Sequence, residues 1–302
     1  MYTSPLADII SRYAINFHLY ADDTQLYVTF KTGPRSSIEE SSFVVHNCIN
    51  EITKWMTVNK LKLNHDKTEV MYITSPRLRD HFAGAPFMVN STPIDPKTSL
   101  RNLGCIMNAS GEMRHQINAV CKASYFHLRN ISRIRKMLTD DAAATLIHAF
   151  ITARLDSCNS LLVGCTQQQI GKLQRVQNAA ARVLARKTKR DSITTILKTL
   201  HWLPVRQRCL YKLLIITHKC IHGDAPIYLR ELLIKHQPSR TLRSADQHLL
   251  VEKRTKTKTF GDRAFSAAAA REWNKLPLSL RESENFEHFK RILKTHLFNT
   301  AF

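Results

Sequence analysis

Between Asn16 and Phe30 the chain alternates apolar and polar residues. Phe17 and Leu19 alternate with His18 and Tyr20, and Leu26, Val28 and Phe30 alternate with Gln25, Tyr27 and Thr29. This is the period of a half-buried strand on each side of Ala21-Asp22-Asp23, so the stretch predicts a β-hairpin with two aspartates at its tip. Ahead of it, Leu6, Ile9, Ile10 and Tyr13 stand near helical spacing within residues 1–14. Behind it, Gly33 to Ser42 predicts a polar loop carrying Pro34. Then Val44, Val45, Cys48, Ile49, Ile52, Trp55 and Met56 recur at three- and four-residue steps and predict a helix. Val70 to Ile73 reads as a short strand closed by Pro76, and residues 87–107 as two more short strands around the turn Pro93-Ile94-Asp95-Pro96.

From Glu112 onward the pattern is helical. Thr139 or Asp140 is placed to cap a helix whose apolar face is Ala142 to Ala144, Leu146, Ile147, Phe150, Ile151 and Leu155. A helix from Gln168 to Lys189 gathers Ile170, Leu173, Val176, Ala180, Val183 and Leu184 on one side. Lys172, Arg175, Arg182, Arg186 and Lys189 gather on the other, with no acid in the window. Solvated faces mix signs, so this stripe points to phosphate contact. Pro204 and Gly223, with Pro226 beyond it, bracket a further helix with Leu210, Leu213, Leu214, Thr217 and Ile221 inward. Arg240 to Lys258 reads as an irregular basic connection. Two last helices are expected over Gly261–Lys275 and Ser283–Phe298, separated by Leu276-Pro277, the second capped by Ser283 with Phe286, Phe289, Leu293 and Leu297 inward.

Charge sharpens this division. Residues 1–112 hold 11 Lys and Arg against 11 Asp and Glu, and residues 113–302 hold 34 against 13, so the net charge of +21 lies in the second part. A field of that sign attracts polyanions, with nucleic acid, anionic lipid and general solubility as the candidates. At 302 residues, 43% hydrophobic and 23% charged, the composition is that of an ordinary globular chain. Seven scattered cysteines without a CxxC pair argue for free thiols in a reducing compartment rather than a disulfide framework. With no apolar run of membrane length and no secretory leader, the expectation is an intracellular protein, nuclear or cytoplasmic and not secreted. His218, Cys220 and His222 share one helical stretch in which Cys220 would point away from both histidines, so no zinc site is expected. There is no Gly-rich phosphate loop, GxSxG or HExxH.

Two adjacent carboxylates on a tight turn make a hard oxygen site suited to Mg²⁺, although an acidic turn facing water has the same pattern. The whole string from Tyr20 to Tyr27, Tyr-Ala-Asp-Asp-Thr-Gln-Leu-Tyr, resembles motif C of reverse transcriptases in the form found in jockey-like LINE retrotransposons, which lack long terminal repeats. Trp55 to Glu69, with Leu63-Asn64-x-x-Lys67-Thr68, resembles motif D, and Leu103-Gly104 resembles the motif E turn.

The resemblance implies an α+β fold. A partial polymerase palm of short antiparallel strands and packed helices would occupy 1–112, a helical thumb-like domain 113–190, and a helical basic region 191–302. It implies two-metal nucleotidyl transfer with Mg²⁺ on Asp22 and Asp23, Lys67 near the leaving pyrophosphate, Tyr20 beside the primer terminus and Leu103-Gly104 near the primer grip. An RNA template and a DNA primer would be the partners. The motif A aspartate and the Gly-rich motif B do not precede Tyr20; the one earlier acid, Asp8, stands on a helix. The chain is therefore expected to resemble the C-terminal half of such an enzyme, with weak or absent Mg²⁺ binding and no activity alone. The alternatives are a non-catalytic nucleic-acid-binding protein derived from a retroelement, or a pseudogene product.

Overall fold

Proline at the first helical position presets φ where its missing N–H costs nothing, and α1 (Pro5–Ile10) begins there and buries Leu6, Ile9 and Ile10. In the computed structural model, which describes residues 3–30, 36–74, 87–89, 92–237, 247–258 and 260–302, this helix leads into β1 (Asn16–Tyr20) and β2 (Asp23–Tyr27). The two strands pair antiparallel with Phe17 opposite Leu26 and Tyr20 opposite Asp23. Their alternation does what the sequence pattern requires. Phe17, Leu19 and Leu26 pack onto a core of Leu6, Ile9, Ile10 and Ile15 with Cys48 and Ile52 of α2 (Ser36–Val58), while His18 and Tyr27 stack on the other face, ring centroids 5.4 Å apart. Glu51 of α2 ties the segment down by accepting hydrogen bonds from Tyr13 at 2.7 Å and Arg12 at 2.8 Å.

Three further expectations change here. Helix α2 begins inside the stretch expected to be a loop, with Glu39 in its first turn, where a carboxylate meets the positive end of the helix; residues 31–35, with Gly33 and Pro34, lie outside the described residues. Val70 to Ile73 is irregular rather than a strand: the Val70 carbonyl accepts one bond, from the Lys97 amide at 2.7 Å, and one bond does not make a ladder. Pro76 lies outside the described residues. In place of two strands over 87–107 there are four, β3 (Phe87–Val89) paired with β4 (Thr92–Ile94) and β5 (Ser99–Asn102) paired with β6 (Cys105–Asn108). Pro93 sits within β4, which it can do because a two-stranded pair leaves one edge without a partner.

Two compact units divide at the last hairpin, one comprising 1–100 with 108–110 and the other 101–107 with 111–302. The second unit is helical. After α3 (Arg114–Ile134) a 3-10 turn leads to α4 (Asp140–Ile147), whose cap Thr139 accepts from the Ala142 amide. A π turn, His148–Thr152, joins α4 to α5 (Ala153–Asp156). Next come α6 (Gln167–Leu184), α7 (Ile193–Thr199), α8 (Val205–His222) and α9 (Ile227–Arg230), then α10 (Phe265–Asn274), α11 (Leu278–Arg281) and α12 (Phe286–Ala301). One core holds Ile117 and Ile131 of α3, Ile147, Leu173 and Val176 of α6, Leu213 of α8 and Ala269 of α10. A second holds Leu214, Trp273, Phe289 and Leu293. Adjacent residues of α8 thus serve both, so 113–190 and 191–302 share buried surface.

Helix ends account for the remaining differences. Helix α6 stops at Leu184 rather than running to Lys189, and Arg186 takes φ 53° in the left-handed region. The π turn inserts extra rotation, so Ile151 and Leu155 face inward while Phe150 is exposed and stacks on His127 at 4.9 Å. Helix α12 starts at Phe286 and is capped by Asn285, which accepts from the His288 amide at 2.8 Å, rather than by Ser283, two residues earlier, whose carbonyl accepts from His218 and whose hydroxyl is buried without a hydrogen-bond partner. The described residues contain no helix long and apolar enough to cross a membrane. The fold is α+β, 56% helical, with short antiparallel strand pairs.

Candidate nucleic-acid interface and acidic hairpin tip

The β1–β2 register leaves Ala21 and Asp22 as the two residues of the turn, with Asp23 already the first residue of β2. Ala21 takes φ 54°, a conformation costly for a residue with a Cβ, and this sharp reversal is what aims Asp22 outward. Tyr20, Asp22 and Asp23 are all exposed, Tyr20 at 65%. Cross-strand pairing puts Asp23 and Tyr20 on the face opposite Phe17 and Leu26. The turn therefore gathers two hard carboxylate donors and one phenol. Among the described residues, no group of three or more His, Cys, Asp and Glu side chains is arranged to hold a metal.

Lys67 and Leu103-Gly104 stand on other elements. Lys67 is exposed in the 3-10 turn His65–Lys67, where Asn64 accepts from the Lys67 amide at 3.2 Å and sets the turn. Leu103 at φ 45° and Gly104 at φ 83° form the turn between β5 and β6. Positive φ at both central residues matches the twist of paired strands, natural for glycine and strained for leucine, and Leu103 is 51% exposed.

The five-residue basic stripe is divided. Lys172 donates to Asn118 at 3.0 Å, Arg182 donates to the Thr188 carbonyl at 3.1 Å, and Arg186 donates to the Leu138 carbonyl at 3.2 Å with Asp140 3.6 Å away. Arg175 is exposed on α6, and Lys189 is exposed in the turn before α7. Arg186 and Lys189 lie beyond the helix, so the stripe is shorter than its spacing implied.

Helix α3 supplies what α6 lacks. Its exposed residues Asn118, Lys122, Tyr125, Arg129 and Arg133, continued by Lys136 after its end, recur at steps of three and four and form one face. Neither α3 nor α6 contains an acid. The two faces adjoin: Asn118 bonds Lys172, and burial pushes the Cys121 thiol of α3 up while the nearby cations Lys172 and Arg175 oppose that shift. Sequence reasoning missed Lys122, Arg129 and Arg133. The available signal was a helix 21 residues long without an acid, whose inward residues Ile117, Ser124, Leu128 and Ile131 leave these cations on the opposite side.

Within α8, His218 is fully buried, its Nε2 2.7 Å from the Ser283 carbonyl, and its ring centroid lies 4.2 Å from that of the exposed His222. Cys220 is buried. No protein-family model matches the chain, and no curated protein or solved structure matches it either.

Proposed function

We propose that this chain serves RNA-directed DNA synthesis as part of a reverse transcriptase of the jockey-like LINE type, with a partial palm in its first unit and a nucleic-acid-holding helical surface in its second. The observation that carries the reading is the eight-residue string Tyr20 to Tyr27, folded as a hairpin whose sharp turn exposes Asp22 and Asp23 beside Tyr20. These hard oxygen donors fit Mg²⁺, which would offset charge on a primer 3′-oxygen and a leaving pyrophosphate. In the same reading Lys67 stands near that pyrophosphate, and the strained Leu103-Gly104 turn steadies the primer. Template and primer are held by the acid-free faces of α3 and α6, whose cations neutralise phosphates without reading sequence.

A salt titration tests the holding surface. Lys122, Arg129 and Arg175 are exposed, whereas Arg182 and Arg186 bond the fold itself, so the informative variant is Lys122→Gln, Arg129→Gln, Arg175→Gln. Each lost phosphate contact flattens the dependence of log K on log[salt] by about 0.9 on a duplex and about 0.7 on a single strand. The triple variant is expected to bind a labelled RNA–DNA hybrid more weakly, by an equal amount across sequences, with a slope reduced by roughly 2 to 3. An unchanged slope would move the contact to another surface, such as exposed Lys253, Arg254, Lys256 and Lys258.

A second reading, a non-catalytic nucleic-acid-binding protein, is favoured by one observation: the cationic faces belong to the helical unit and do not depend on the acidic turn. Because the chain alone is expected to synthesise nothing on either reading, primer extension by a longer polypeptide that adds the missing motif A carboxylate, lost in Asp22→Ala, favours the first reading, and binding without extension in that longer polypeptide favours this one.

A further inference from the structure

We propose that Phe126, His127 and Phe150 form a stacking platform for unpaired bases of single-stranded nucleic acid, set beside the cations of α3. The rings are already in contact with one another. Phe150 of the π turn stacks on His127 of α3, with centroids 4.9 Å apart and planes inclined by 20°, and Phe126 meets the same imidazole edge-on with centroids 5.3 Å apart. Phe126 is nonetheless 61% exposed and Phe150 39%. His127 covers one face of Phe150, so the exposure lies on the rest of that ring, where a planar base would lengthen the stack.

The π turn is what carries Phe150 outward. In an unbroken α-helix Phe150 would lie roughly 60° around the axis from buried Ile147, toward the core side, and the wider turn His148–Thr152 takes it farther out. Such turns recur at functional sites. Charge then selects the occupant. Exposed Lys122 and Arg129 stand one turn before and one turn after Phe126, and neither α3 nor the π turn holds an acid. A single strand meets both features at once, its phosphates on the cations and its bases on the rings, whereas a duplex keeps its bases paired and offers the rings little. The platform rests on the proposed reading of α3 as a phosphate-holding face and adds to it a preference for unpaired strand.

The test compares the affinity of the chain for labelled oligothymidylate with its affinity for a strand of equal length and charge whose bases are replaced by abasic sites. Wild type is expected to bind the base-bearing strand about tenfold more tightly, from the stacking of even one base. The double variant Phe126→Leu, Phe150→Leu is expected to lose that preference, and Phe126→Tyr, Phe150→Tyr to keep it. Neither should alter the slope of log K against log[salt], which reads the phosphate contacts alone. Equal affinity of wild type for the two strands overturns the platform and leaves the cationic surface standing, and this comparison decides even if the Leu variant folds poorly. A preference that survives in a folded Leu variant overturns it as well. If equal affinity is accompanied by a dimer that the Leu variant abolishes in sedimentation, the rings belong to a second copy of the chain instead. The slope of the Lys122, Arg129 and Arg175 variant is a separate readout, so the holding surface and the platform fail independently.

Discussion

His218 is an aromatic core residue that carries an ionisable ring. It stacks on Phe289 at 4.3 Å, lies near Trp273 and Phe286, and donates from Nε2 to the Ser283 carbonyl, leaving Nδ1 buried without a hydrogen-bond partner. Burial lowers its pKa, opposed by the Ser283 bond; His222 lowers it further and Asp224 raises it. The sign follows directly. Because the folded pKa lies below the unfolded value of about 6.5, the fold favours the neutral ring, and this contribution is complete above that pH and lost as pH falls toward the folded pKa. Urea unfolding at pH 7.5 and at pH 5 should therefore show wild type losing stability on acidification. His218→Gln, which can still donate to Ser283, should be less stable at neutral pH and lose less on acidification. His222, whose own pKa burial lowers and which lowers that of His218, acts in the same direction, so His222→Gln should also lessen the loss on acidification. Equal pH dependence in wild type and His218→Gln would remove His218 as the source.

Helix ends were less legible in the sequence than helix faces, and α6 shows why. Its apolar face follows from spacing alone, and Ile170, Leu173, Val176, Ala180 and Leu184 are buried as their period requires. Its end could not be read that way. The terminal carbonyls of Val183 and Leu184 accept from Nε and Nη2 of Arg135 at 3.0 and 2.8 Å, and that donor lies 48 residues earlier. The same limit applies to the strands: Phe17, Leu19 and Leu26 declared their faces by alternation, whereas β3, β4, β5 and β6 are three or four residues each, too short to show a period. At the candidate site, Asp22 was legible because two acids interrupt an alternating pattern, while the cations of α3 emerge only once α3 and α6 are packed. Arg135 is 7% exposed and also pairs with Asp140. Arg135→Met should destabilise the chain by about 3 kcal/mol, since a buried cation and the carbonyls it serves are lost together. Asp140→Asn, at an 80% exposed position, should cost less. Chemical denaturation of both variants measures the difference, and equal losses would show that Asp140, not α6, is the partner that matters.

At the scale of the whole molecule, charge and the candidate chemistry are separated along the chain. The acidic turn lies in residues 1–112, which are neutral overall, and the cationic surface lies in residues 113–302, which carry the +21. Affinity for a polyanion and catalysis are therefore separable properties. On the proposed reading, affinity needs only the exposed cations of the helical unit, since phosphate neutralisation supplies most non-specific binding. Catalysis makes a stricter demand. Two metal ions acting on one phosphoryl centre need carboxylates converging from more than one strand, and Mg²⁺ yields its hydration reluctantly to a pair on a single turn. Among the described residues, β1 brings no acid to face Asp22 and Asp23, and no cluster of three ligand side chains forms there. The 302-residue polypeptide is accordingly expected to bind an RNA–DNA primer-template at low salt yet incorporate no deoxynucleotide with Mg²⁺ present. A gel-shift and a primer-extension assay on one preparation give both readouts. Asp22→Ala should leave binding unchanged, because Asp22 is not among the side chains proposed to meet phosphate. Template-dependent incorporation by the wild-type chain that disappears in Asp22→Ala would show that two carboxylates suffice here, and would overturn the separation of binding from synthesis.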